Sequence, residues 1–280
     1  MRLLPAVLLC LQLLACSDSQ QPDGKNESGL RVVSLAPHIT ELLFSVGAAD
    51  NIVGVVAHSD FPEQARTLPV IGDAFRIDPE RLAAVEPDLI FAWQGGNPPE
   101  AIEQLKSRGY RVVSLPADSL QDVAENIIKI GSLTGHADTA KAQARQFSDA
   151  MEQLAQDHSG QAPVSVFYQI SRQPLYTVGG GHPISDLIQL CGGQNIFDDL
   201  QQLAPVVSLE QVLLRNPDVI ITGNDNAQLE QWSRWKKLSA AREQNLFMVD
   251  ASLVTRSSLR LLQGARQICA HLATARQRKY

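Results

Sequence analysis

Apolar residues in the stretch AKAQARQFSDAMEQLAQ recur at helical spacing. Ala140, Ala144, Phe147, Met151 and Leu154 are separated by four, three, four and three positions. That makes one apolar stripe along a helix. Gly135 and Gly160 flank it, each placed to end a helix. The predicted rod covers residues 136–158 and holds no internal Gly or Pro. At ~1.5 Å per residue it is roughly 33 Å long.

On both sides of this rod the pattern alternates between short apolar runs and amphipathic stretches. Before it, residues 31–35, 52–56, 89–92 and 111–115 read as buried strands. Between them, helices are predicted from Thr40 to Gly47, over 79–85, over 100–108 and over 120–133. Asp118 or Ser119 caps the last of these. After the rod, strands are predicted over 164–169, 218–222 and 246–249, with helices over 184–190, 209–215 and 257–275. Strands alternating with helices imply parallel sheets covered on both faces.

The two sides also resemble each other. ERLAAVEPDLI at 80–90 aligns without a gap with EQVLLRNPDVI at 210–220. Each segment has a Glu, two helical turns, Pro-Asp and an apolar strand. Pro87 and Pro217 end their helices. A separation of 130 residues is too long for a solenoid and fits two duplicated lobes. The expected fold class is therefore α/β, with two Rossmann-like lobes of parallel strands, one long joining α-helix and a ligand cleft between the lobes. The first lobe spans 30–135, the linking helix 136–158 and the second lobe 159–280. Ligands of such sheets bind outside the carboxyl ends of the strands. Those ends carry Pro37-His38, the loop 58–61, Trp93 to Asn97, and the loop 250–256.

The first residues stand apart from this pattern. Arg2 precedes an apolar run over 3–15, too short to span a bilayer but suited to a signal peptide. Leu13-Leu14-Ala15-Cys16 resembles the bacterial lipobox, which makes residues 1–15 the signal and Cys16 the lipidated first residue of the mature chain. A plain secretory signal is the alternative. Residues 16–29 are polar and aperiodic, a flexible tether. Export to the periplasm, with a lipid anchor to the membrane, is the expected localisation. Cys10 leaves with the signal and Cys16 carries lipid, so Cys191 and Cys269 remain of the four cysteines. An even remainder in an oxidising compartment suggests a disulfide. Two separate buried thiols are the other reading.

A formal net charge of −6 argues against a nucleic-acid partner, and the cluster Arg276, Arg278 and Lys279 near the end reads as a solvated helix terminus. Catalytic motifs are missing too. Gly179-Gly180-Gly181 lacks the Lys-Ser/Thr of a phosphate-binding P-loop, and no G-x-S-x-G elbow or H-E-x-x-H spacing occurs. His38, His58 and His182 sit on predicted inter-lobe loops, where three imidazoles could hold a metal or simply bond the backbone. Trp93, in an otherwise polar loop, can stack on a ligand.

The stretches RVVSLAPHITELLFSVGA, IVGVVAHSDFPEQA, PDLIFAWQGGN, LCGGQNIF and VSLEQVLLRNPD, with the helix carrying Cys269, resemble the helix-hinged periplasmic substrate-binding proteins of ABC importers. Within that class they are most similar to the B12-binding members. LCGGQNIF and AWQGGN are the most specific of them. The resemblance covers residues 31–272 and implies a monomer that hands a corrinoid, as cargo and not cofactor, to membrane permease subunits. It implies ligand contacts at His58, Phe75 and Trp93 and on Ser252, Leu253, Val254, Thr255 and Arg256. It pairs Cys191 with Cys269 and gives Glu80 and Glu210 a role in docking to the permease. The chain departs from the B12 pattern where aromatics are usual, at His58, Ala204 and Leu253-Val254. A haem- or iron-siderophore-binding relative is the alternative of the same class. An exported enzyme using the cleft is the alternative of another class, with no visible nucleophile–base pair to support it.

Overall fold

The computed structural model describes residues 29–279. The signal, Cys16 and nearly all of the tether lie outside the described residues. The first lobe runs β1 (Val32–Ser34), α1 (Pro37–Ser45), β2 (Ile52–Val55), α2 (Pro79–Ala84), β3 (Leu89–Trp93), α3 (Pro99–Ser107), β4 (Val112–Leu115) and α4 (Leu120–Thr134). Its four strands are all parallel, in the order β2-β1-β3-β4. Pro37 does more than break the first strand: it is the first residue of α1, where its missing N–H costs nothing. Ser119 caps α4 in a reciprocal box with Asp122, and Gly135 ends that helix in the left-handed conformation.

The linking helix α5 (Ala137–Asp157) follows at once. Ala140, Ala144, Phe147 and Met151 are its buried residues, the stripe read from the sequence, with Leu154 partly buried. They lie against α4. The approach is close enough that a Cβ on Gly131 would collide with the Ala140 methyl.

The second lobe runs β5 (Val164–Arg172), β6 (Leu175–Thr177), α6 (Pro183–Leu190), β7 (Gly193–Asn195), α7 (Leu209–Arg215), β8 (Val219–Thr222), α8 (Asn226–Ser233), α9 (Ser239–Arg242), β9 (Leu246–Met248), α10 (Ala251–Val254) and α11 (Leu261–Lys279). β7 pairs in parallel with the start of β5, and β6 pairs antiparallel with its end. β8 and β9 extend the other edge. The parallel order β7-β5-β8-β9 is that of the first lobe, with β6 added as a hairpin.

The repeated segments have matching structure. α2 and α7 end at left-handed Glu86 (φ 37) and Asn216 (φ 43), directly before Pro87 and Pro217. A residue before proline is barred from continuing the helix. The carboxylates that follow do the same work: Asp88 accepts the Arg31 N–H at 2.8 Å and Asp218 accepts that of Ser165 at 3.1 Å. Each Pro-Asp thus ties its strand to the neighbouring first strand of the lobe.

Alternation along the strands divides the core. Leu89 and Phe91 face a cluster shared by both lobes, while Ile90 and Ala92 face α2 and α3. In the second sheet Val166 and Tyr168 face the shared cluster and Phe167 faces Trp232 and Phe197. The shared cluster includes the α4, α5 and α11 stripes, so the lobes are joined along one side by continuous apolar packing. Cys191 and Cys269 form a disulfide, which fixes the end of α6 to α11. Arg276 reinforces that tie by donating to the carbonyls of Cys191 and Gly192. No helix among the described residues is long and apolar enough to cross a membrane.

Candidate functional site

The cleft is built from loops at the carboxyl ends of the strands. Trp93 ends β3 and is half-buried. Its indole lies over Gly96, where any Cβ would enter the ring, so the second glycine of AWQGGN is a steric requirement. The edge of His38 meets it at 5.2 Å between ring centroids, at 85°. Burial, and after it the positive charge of Arg256, lowers the His38 pKa to about 4, so the imidazole is neutral.

Asn97 organises this wall. It is buried, its Oδ1 accepts the Trp93 N–H at 2.6 Å, and its Nδ2 donates to the carbonyls of Leu35 at 3.1 Å and Ala74 at 2.8 Å. One side chain therefore joins the loops that carry Leu35, Ala74 and Trp93. Phe75 itself is 70% exposed. Asp73 accepts the N–H groups of Phe75 and Arg76, both at 2.7 Å, which shapes that turn.

The loop over 250–256 holds a short helix, α10, capped by Asp250. This changes what its residues present. Leu253 and Val254 pack into the shared core, 6% and 1% exposed, with Val254 against Gly264 of α11. These two side chains are therefore taken up by core packing. Ser252 is half-buried and Thr255 exposed.

Arg256 crosses to the first lobe. Its Nη1 donates to Glu41 at 2.9 Å and to Asp60 at 2.6 Å, and its Nη2 donates to the His58 carbonyl at 3.0 Å. His58 is exposed and left-handed, φ 67, which is uncommon for a residue with a Cβ. The hydrogen bond from Arg256 holds the Asp60 carboxyl below its usual range. Arg260 also donates to Glu41, and its guanidinium stacks on Phe61 at 4.1 Å. The structure thus brings His58 and Arg256 together across the lobes, while Phe75 lines a pocket with Pro79 of α2, Ala101 and Gln104 of α3, and Arg108 at the end of that helix.

Glu41 and Asn97 were not singled out from sequence. Glu41 is the one carboxylate of a helix that also holds Ile39, Leu42, Leu43 and Phe44, which is a signal; Asn97 reads only as a turn residue. The remaining sequence candidates find local roles. His182 caps α6, its Nδ1 accepting the Ile184 N–H, and burial lowers its pKa to about 4. Gly179 and Gly180 donate their N–H groups to the carbonyls of Leu203 and Leu200, which leaves no phosphate cradle there. No group of three or more metal-ligating side chains occurs among the described residues. Glu80 and Glu210 are both exposed in the first turns of α2 and α7, whose caps are Asp78 and Ser208.

The chain is similar to known proteins over nearly its whole length. Residues 32–253 match the family model described as periplasmic binding protein. The vitamin B12-binding protein of Vibrio cholerae serotype O1 is 33% identical over 275 residues, covering 96% of this chain and 100% of its own. That of Yersinia pestis is 34% identical over 245 residues, covering 87% and 86%. The crystal structure of the periplasmic vitamin B12-binding protein of Vibrio cholerae superposes with a TM-score of 0.82 at 33% identity, covering 89% of this chain and 98% of that one. A periplasmic haem-binding protein from Roseiflexus shares the fold, with a TM-score of 0.78 at 22% identity, covering 89% and 100%. With two like-ordered parallel sheets on one linking helix and a family match across both lobes, the chain belongs to the periplasmic binding proteins.

Proposed function

We propose that the protein captures cobalamin or a related corrinoid in its inter-lobe cleft and delivers it to the membrane permease of an ABC importer. The observation that carries this reading is the 33% identity, over 96% of the chain, to a protein named for binding vitamin B12. The chemistry of the cleft fits such a ligand. A corrinoid has broad apolar faces and a rim of amides. Trp93 and Phe75 offer aromatic surface on one lobe. Ile170, Leu203 and Val206, all exposed near the carboxyl end of β5 or on the loops beside it, offer aliphatic surface on the other. Arg256, His58, Ser252 and Thr255 supply the polar contacts for the rim.

The same reading covers the rest of the chain. Cys16 carries the lipid that anchors the protein in the periplasm, Glu80 and Glu210 meet the permease, and the monomer releases its ligand chemically unchanged. Haem is the competing ligand, and the exposed imidazole of His58 is the feature that favours it. Titration calorimetry with cyanocobalamin, cobinamide, haemin and a ferric siderophore decides between them. Cobalamin is expected to bind one-to-one and to be recovered unaltered. Tight binding of haemin without binding of either corrinoid would overturn the assignment, and a recovered corrinoid of altered mass would reveal an enzyme.

A further inference from the structure

Glu41 lies on α1, 5% exposed, among Ile39, Leu42 and Leu43 of the core. A carboxylate there has to be matched by close partners. All of those partners come from the other lobe. Oε1 accepts from Arg256 at 2.9 Å and from Arg260 at 3.3 Å, and Oε2 accepts from Ser258. With Asp60 accepting from Arg256, two carboxylates face two guanidiniums, and the cluster is neutral.

The donors of Arg256 can be counted. A guanidinium has five N–H groups in a planar fork. Both Nη1 hydrogens are taken, by Glu41 and Asp60, and one Nη2 hydrogen goes to the His58 carbonyl. The Nε–H and the second Nη2–H have no acceptor among the described residues. Arg256 can therefore give two donors to carbonyl or phosphate oxygens of a ligand without releasing its hold on the first lobe. Arg260 is braced differently: Nη2 donates to Ser252 Oγ at 2.9 Å and its face is covered by Phe61.

We propose that Glu41 is the positioning residue of the cleft, acting through Arg256. Buried in one lobe, it aims an arginine of the other lobe at the ligand and in the same bonds fixes the register of the two lobes. The idea rests on the corrinoid reading only in taking Arg256 as a ligand contact. A preorganised donor pair avoids the cost of ordering a long side chain at the moment of binding.

The test is a double-mutant cycle on the mature protein, with Glu41→Gln, Arg256→Met and the pair, titrated with whichever corrinoid or haemin binds the wild type one-to-one. Thermal melts run alongside. Glu41→Gln is expected to weaken binding on the order of tenfold, the scale of a misplaced contact at an ordered site. In the Arg256→Met background the same change should have no further effect on affinity, although it still lowers the melting temperature. A purely structural Glu41 would cost the same factor in both backgrounds, and that result, or an unchanged affinity for Glu41→Gln, overturns the inference. If Glu41→Gln does not fold, Ser258→Ala loosens the carboxylate more gently and is held to the same coupling. A wild type that binds none of these ligands overturns the functional reading and this inference together; one that binds with an additive cycle overturns the inference alone.

Discussion

His38 is charged in the unfolded chain below its usual pKa of 6.5 but neutral in the fold down to about 4, because burial removes the ion's solvent and Arg256 repels it. Between those values the unfolded state binds the proton and the native state does not. Stability from this residue is therefore fully present above pH 6.5 and is lost as pH falls towards 4. One such group contributes a slope of up to about 1.4 kcal/mol per pH unit. His182 acts in the same direction. Denaturant melts at pH 7.5 and 5 are expected to show the loss, and His38→Phe should flatten part of it; a wild type equally stable at both values would refute the account. We propose the neighbouring Trp93 as an affinity determinant. Trp93→Ala is expected to weaken ligand binding by about 1–3 kcal/mol, the usual effect of truncating an interface aromatic. Calorimetry that finds no change would make Trp93 a rim residue. What was legible here followed from local chemistry. An aromatic in a polar loop stands out along the chain, whereas Arg256 entered with the family resemblance of the loop after the last strand. Glu41 could not be assigned a role in that way, because its partners are 215 to 219 residues distant. The burial of Leu253 and Val254 was hidden for a related reason, since nothing in a five-residue stretch reveals that it coils into α10 and turns those two inward.

At the scale of elements, long periodic segments were the readable ones. The α5 stripe, the Gly135 stop and the two Pro-Asp repeats each have a cause within a few residues: spacing, a left-handed cap, or a proline that forbids one more turn. β6 and β7, at three residues each, are too short to show a period, and both are held by pairing with β5. The Cys191–Cys269 link joins α6 to α11 across 78 positions. In the chain-entropy model a loop of that length contributes about 4 kcal/mol by restricting the unfolded chain. The Cys191→Ser, Cys269→Ser double variant is expected to lose stability of that order in urea titrations while binding ligand with near-native affinity, because the cleft loops are organised by Asn97 and Arg256 and not by the sulfurs. A collapse of affinity at temperatures where the variant stays folded would show that the link also shapes the cleft.

At the scale of the whole molecule, duplication gives two lobes with the same strand order and places Glu80 and Glu210 at equivalent points, each exposed in the first turn after a capped helix start. Asp78 accepts the N–H groups of Glu80 and Arg81, so Glu80 is not needed as a cap, whereas Ser208 accepts only that of Gln211 and the Glu210 carboxylate takes its own N–H and the Ser208 hydroxyl. Leu214, one turn beyond Glu210, is 86% exposed on the same helix. We propose that these two like charges, at matching points on a body held by α5, the shared core and the Glu41 cluster, set the register against basic side chains of the membrane permease. Their removal should leave folding and ligand affinity nearly unchanged, since both side chains are exposed and neither bonds Arg256. Glu80→Ala and Glu210→Ala are each expected to reduce uptake, and the double change to abolish it. The comparison is corrinoid titration of the purified variants against labelled corrinoid uptake by cells carrying them. If the double variant binds and transports as the wild type does, the two acids serve only the local electrostatics of their helix ends, and the permease must read another face.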